Sequence, residues 1–123
     1  MNIEVKVDQN HLNIVILGDI GLSEAQSNIK KRIVKEIRKI NNSTAFNLGM
    51  ILGDNVYQHG LEEGKFKPLY EVFSGSFRRT EFDFNFLTIL GNHDYEGSPA
   101  TQIRYHYELD NRYYLPYRYY TYG

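Results

Sequence analysis

The sequence predicts an α/β domain with a mostly parallel sheet and flanking helices. A short phrase recurs three times, as Ile16-Leu17-Gly18-Asp19, Ile51-Leu52-Gly53-Asp54 and Ile89-Leu90-Gly91-Asn92. Each copy closes an apolar run with glycine and an oxygen-bearing side chain, as a buried strand does where it enters a sharp turn. The copies lie 35 and 38 residues apart, enough for a loop, a helix and another loop before the next strand. Parallel strands joined by right-handed crossovers bring all three turns to one edge of the sheet.

The elements follow in order. Ile3 to Val7 alternates charged and apolar residues and reads as an edge strand. Leu12 to Leu17 is rich in Ile and Val, as expected of a strand covered on both faces. Ser23 caps the next helix, whose Ile29, Ile33, Ile37 and Ile40 form one apolar stripe among lysines and arginines. Asn41-Asn42-Ser43 ends that helix, and Phe46 to Leu52 is the second strand of the repeat. A long connection then runs to about Arg79, with a short helix over Pro68 to Phe73. Phe82, Phe84 and Phe86 alternate into the third strand, which ends at Leu90. Ser98-Pro99 opens a helix through about Leu109, with proline suited to its first turn. Eight tyrosines lie between Tyr105 and Tyr122, and Tyr117 to Tyr122 reads as the start of another strand.

Composition narrows the function classes. At 123 residues the chain is one domain, spanning 1–123, with a modest core. Fourteen Lys and Arg against fifteen Asp and Glu leave a net charge of −1, so no global field favours nucleic acid or acidic membranes. The basic face of the first helix reads as a solvated surface. With no cysteine, thiolate metal sites, disulfides and cysteine nucleophiles are excluded. No stretch approaches membrane-spanning length and the N-terminus has no signal-like core, so the compartment is intracellular by default. A dinucleotide-binding turn is also excluded, because Gly18 and Gly21 lack the Gly-x-Gly-x-x-Gly spacing.

The three turns carry the chemistry. Asp19 and Asp54 supply carboxylates and Asn92 a carbonyl oxygen, hard ligands suited to Mg, Mn, Fe or a mixed-ligand Zn site. A carboxylate touching two ions can bridge them, and two such ions clamp a phosphoryl group during in-line displacement. His93 directly follows Asn92 and is placed to protonate a leaving oxygen near neutral pH. Tyr57, three residues after Asp54, reaches the same centre with its phenol. Taken singly, Gly-Asp is a common turn and Tyr57 a packed aromatic; the threefold recurrence is what points to a site. His59 lies on the same loop, and His11 and His106 fall outside the turns.

Gly18-Asp19-Ile20-Gly21, Gly53-Asp54-Asn55-Val56-Tyr57 and Gly91-Asn92-His93-Asp94 resemble the first three metal-binding motifs of the calcineurin-like metallophosphoesterases. Most of that superfamily has Asp-x-His in the first motif, where this chain has Gly21. A tyrosine in the second motif is the mark of the purple acid phosphatases, and Gln102, Tyr105 and Arg112 to Tyr120 are similar to the tartrate-resistant members. The resemblance runs from about Asn13 to the end of the chain. It implies an αββα sandwich, of which this chain is a partial version, and hydrolysis of phosphate monoesters at a dinuclear metal centre. Asp19 and Tyr57 would then bind ferric iron, with Tyr57 giving a purple charge-transfer colour. Asp54 would bridge both metals, and Asn92 would bind a divalent Fe, Zn or Mn. His93 would stabilise the phosphate and assist the leaving alcohol, and Asp94 would orient His93.

One departure stands out. The family's later Val-x-x-His and Gly-His-x-His motifs supply three more histidine ligands, and no histidine follows His106. The expectation is therefore a truncated domain with the first three motifs. Its partners would be a phosphate monoester and, through an uncovered half-core, a second copy or a complementing chain. The alternative is an inactive remnant that binds metal, phosphate or protein.

Overall fold

The structure is a computed structural model and describes residues 11–123; the edge strand expected over Ile3 to Val7 lies outside the described residues. Four strands, β1 (Ile14–Leu17), β2 (Leu48–Ile51), β3 (Phe86–Thr88) and β4 (Tyr113–Tyr114), form one sheet in the order β1-β2-β3-β4. All three pairings are parallel. The predicted α/β class therefore holds, and the three repeated phrases end β1, β2 and β3 on one edge.

The register aligns Val15, Gly49, Phe86 and Tyr113 in one row across the sheet. Gly49 belongs there because the Phe86 ring occupies the space a methyl group would take. Phe86 in turn meets Phe73 edge-on at 5.0 Å and Phe77 at 5.2 Å, an arrangement that suits the aromatic quadrupole. Tyr120 closes the far side: its hydroxyl accepts from the Thr88 amide at 2.8 Å and lies 2.8 Å from the Thr88 carbonyl.

The helices are α1 (Asn28–Ser43), α2 (Lys67–Leu69), which continues into a π-helical turn over Tyr70–Ser74, α3 (Asn92–Tyr95) and α4 (Pro99–Glu108). Val34 and Ile37 of α1, Val72 and Phe73 of the π-turn and Tyr105 of α4 all join one core with Val15, Ile51, Phe86 and Tyr113. That places the main helices on the same side of the sheet, as sequential right-handed crossovers require. The opposite face carries Ile16, Met50 and Leu87, with Leu52 and Ile89 beyond the strand ends; Ile16 is 58% exposed. This uncovered face matches one half of a sandwich.

Several local expectations are corrected. Helix α1 is capped by Ser27, whose side chain accepts from the Lys30 amide, and not by Ser23. Of the isoleucine stripe only Ile37 is buried: Ile29 is 71% exposed and Ile33 and Ile40 are exposed, whereas Val34 is 1% exposed. A turn of about one residue, roughly 100°, replaces the stripe with Lys30, Val34 and Ile37. Lys30 becomes tolerable inside because its ammonium finds two backbone carbonyls. Asn41, next on that face, donates to the Glu81 carbonyl and accepts from the Phe46 amide. The fourth strand is Tyr113–Tyr114; no strand is formed over Tyr117 to Tyr122. Ser98 does cap α4, accepting from Thr101, with Pro99 in the first turn.

Candidate metal centre

Both aspartates in the repeated turns adopt left-handed backbone, φ +54° at Asp19 and at Asp54. Such conformations cost energy in residues other than glycine and persist where the surroundings over-determine them. Here the surroundings are the neighbouring turns. The Asp19 amide donates to the Gly53 carbonyl at 3.2 Å, and the His93 amide donates to Asp54 Oδ1 at 3.1 Å. Gly53, at φ +98°, has no room for a side chain: a Cβ would lie 2.8 Å from the Gly91 nitrogen. The glycines therefore let three strand ends close on one another.

Tyr57 completes the convergence. Its hydroxyl donates to Asp19 Oδ1 at 2.9 Å and lies 3.5 Å from Asp54 Oδ2. Partial burial, then the hydrogen bond to Asp19 and that residue's negative charge, with Asp54 adding, push the phenol up to about 12. Two carboxylates and a phenol thus share a small space in which anionic forms repel. A bound cation reverses that balance, since it becomes the largest local charge and favours phenolate.

Gly21 is required by the close packing of the Tyr57 loop. A Cβ there would sit 2.7 Å from both Tyr57 Cδ2 and the Tyr57 nitrogen, and 2.9 Å from the Asp54 carbonyl oxygen. The Tyr57 amide instead donates to the Gly21 carbonyl at 3.0 Å. Any side chain at position 21 would displace Tyr57 or the backbone around it.

Asn92 is exposed at the first position of α3, bracketed by Gly91, which packs on Asp54, and His93, which donates to it. The His93 ring lies edge-on to Tyr57 at 5.1 Å. Its Nδ1 donates to the Gln58 carbonyl at 2.5 Å, which leaves Nε2 as the nitrogen free for a ligand. His59 occupies the rim, with Nδ1 2.6 Å from Glu96 Oε2.

Asp94 has a different place from the one expected. It is fully buried, and its carboxylate accepts from the amides of Gly91 (2.8 Å), Asn55 (3.0 Å) and Val56 (3.2 Å) and from Gln102 Nε2 (3.0 Å). The His93 ring is held by Gln58 and not by Asp94. The expectation that Asp94 orients His93 is therefore corrected: the carboxylate ties the Asp54 turn to the Asn92 turn through their backbones. Gln102 extends this network to Tyr113, whose hydroxyl donates to Gln102 Oε1 at 2.8 Å.

The donors present fit a hard cation on the Asp19, Asp54 and Tyr57 side, because all three supply oxygens and the Tyr57 hydroxyl lies within hydrogen-bond range of both carboxylates. They do not amount to a complete two-ion shell. Among the described residues, no group of three or more His, Asp or Glu side chains gathers at ligand spacing. Lys30 and Glu96 were not legible as site neighbours: Lys30 reads as one more residue of a basic helix face, and Glu96 belongs to no recognisable spacing.

Compared with known proteins, the chain matches the family described as calcineurin-like phosphoesterase over residues 12–122. None of the curated proteins compared matches it. Among the described residues, no helix is long and apolar enough to cross a membrane.

Proposed function

The chain belongs to the calcineurin-like phosphoesterases, and on that premise we propose that it takes part in metal-dependent hydrolysis of phosphate monoesters, in the manner of an acid phosphatase. The observation that carries this reading is the hydrogen-bonded convergence of Tyr57, Asp19 and Asp54 at the ends of adjacent parallel strands. Asp19 and Tyr57 would hold one ion, iron in this reading. Asp54 has one oxygen toward Tyr57 and the other on the His93 amide, a placement that suits a bridge. Asn92 would serve a second ion, a divalent Fe, Zn or Mn.

The bound metals would supply Lewis acidity and an activated water. The chain's own residues do the rest. His93 is anchored through Nδ1, so its Nε2 is presented to a phosphate oxygen or to the departing alcohol. Asp94 keeps the Asp54 and Asn92 turns in register, which fixes donor spacing before substrate arrives. A two-ion centre needs imidazole donors beyond those in residues 11–123. We place them on a complementing segment or chain packed against the uncovered sheet face.

A second reading draws support from the same incomplete ligand set: a non-catalytic module that binds metal or phosphate. The two separate in one assay series. Hydrolysis of an aryl phosphate should depend on added Fe, Zn or Mn and disappear in Asp54→Ala. Metal binding without turnover, even with a complementing segment that carries the imidazole donors, favours the module; metal-independent turnover contradicts both.

A further inference from the structure

We propose that Lys30 is a positioning residue for the candidate centre, clamping the Asp19 turn to the helical layer through the Ile20 carbonyl. The inference rests on the reading of Asp19 as a metal ligand. Lys30 is 8% exposed, and its Nζ donates to the Ile20 carbonyl at 2.9 Å and to the Val72 carbonyl at 2.5 Å. One ammonium therefore joins three separate segments: α1, the residue directly after Asp19, and the π-helical turn.

Packing alone does not account for a lysine here. Lys30 lines a mostly apolar cavity of about 130 Å³ together with Leu17, Asp19, Ile20, Ile33 and Phe77. An unbranched apolar side chain would occupy the same space, but it would leave the buried Ile20 and Val72 carbonyls without this donor. Burial pulls the ammonium down to about 8, with Glu24 opposing, so it is still charged at neutral pH. What the lysine adds is direction, because each N–H must point at a particular carbonyl.

The Asp19 turn needs that restraint. Asp19 holds φ +54°, and its turn is tied by the Asp19–Gly53 and Gly21–Tyr57 backbone bonds to the neighbouring ligand turn. Both of those partners belong to the site itself. Lys30 fastens the same turn to the core helices, so the pair Asp19 and Tyr57 is referenced to the scaffold.

Lys30→Met, Lys30→Gln and Lys30→Arg test this in three measurements: thermal unfolding, Mn²⁺ titration and amide hydrogen exchange. Lys30→Met should still unfold cooperatively, at a midpoint lowered by the loss of two buried hydrogen bonds, while exchange at the Asp19 and Tyr57 amides quickens at least about tenfold. The Gly49 amide, inside the sheet, should be unaffected. Mn²⁺ affinity should fall about tenfold or more, and Lys30→Arg should recover part of both losses. Lys30→Gln is read in the same way if the methionine variant does not fold. Unchanged exchange at Asp19 and Tyr57 in a folded variant overturns the proposal, as does uniform acceleration at all amides in both variants. If the parent protein binds no Mn²⁺, the metal reading of the site fails, while the exchange measurement still decides the role of Lys30.

Discussion

Asp94 and Gly21 govern the site without touching a ligand's coordinating face. Removing the carboxylate in Asp94→Ala strands the buried amides that now donate to it, and the expected loss is about 3 kcal/mol. Chemical denaturation measures it, and a loss below about 1 kcal/mol would contradict the keystone role given to Asp94. Gly21→Ala forces a methyl group against Tyr57 and the Asp54 carbonyl. Overpacking of this kind costs about 1–3 kcal/mol, and it should also weaken iron binding because Tyr57 must move. A Gly21→Ala protein with parent stability and parent iron affinity would remove the steric argument. The sequence singled out Asp19, Asp54, Tyr57, Asn92 and His93 as candidate donors because each follows a strand-ending glycine closely in the chain. It could not show what Asp94 does. A carboxylate next to a histidine looks like its partner, and only the fold reveals that backbone amides of another turn lie closer.

At the scale of elements, the strands were legible and the helix orientation was not. Apolar runs closed by glycine located β1, β2 and β3, and the Ser98-Pro99 pair located α4. In α1 the isoleucine stripe misled because periodicity counts apolar residues, whereas burial of Lys30 and Asn41 depends on carbonyls supplied by distant segments. Two substitutions separate the orientations. Ile29→Lys should change stability by no more than about 0.5 kcal/mol, while Ile37→Ala should cost about 2 kcal/mol or more. Equal losses would restore the isoleucine face to the core. The α4–β4 corner predicts acid sensitivity. Burial lowers His106 below its ordinary value of 6.5, despite the hydrogen bond from its Nδ1 to the Tyr113 carbonyl. The unfolded chain therefore takes up that proton first, and stability present above pH 6.5 declines as the pH falls toward the folded value. For Asp110, burial acts to raise the carboxyl but hydrogen bonds from Arg112 and Ser74 outweigh it and hold it below 3.8. Its contribution is present above that value and is lost at still lower pH. The thermal midpoint should thus fall in two steps, and His106→Gln should remove the upper one; a single step unaffected by His106→Gln would contradict the assignment.

The described residues form a four-stranded parallel sheet with the main helices on one side and apolar side chains exposed on the other. Exposed apolar area of this kind in general favours association, and the expected outcome is self-association that grows with concentration. Ile16→Lys together with Leu52→Glu should shift sedimentation toward the monomer without loss of the folded signal. Sedimentation that is monomeric at all concentrations would count against the surface. The α/β class was readable from the spacing of the three turns, since that spacing leaves little choice but crossover connections. The bare face was readable only indirectly, through the missing histidines, because uniformly apolar strands look alike whether one face is covered or two. Asp19, Asp54 and Tyr57 are proposed to form one cation site. Titration of the metal-free protein with ferric iron, followed by visible absorption, tests this directly. A phenolate-to-iron band should grow to saturation in the parent protein and be absent from Tyr57→Phe and from Asp54→Ala. A band that persists in Tyr57→Phe, or iron binding by the parent without any band, would contradict it.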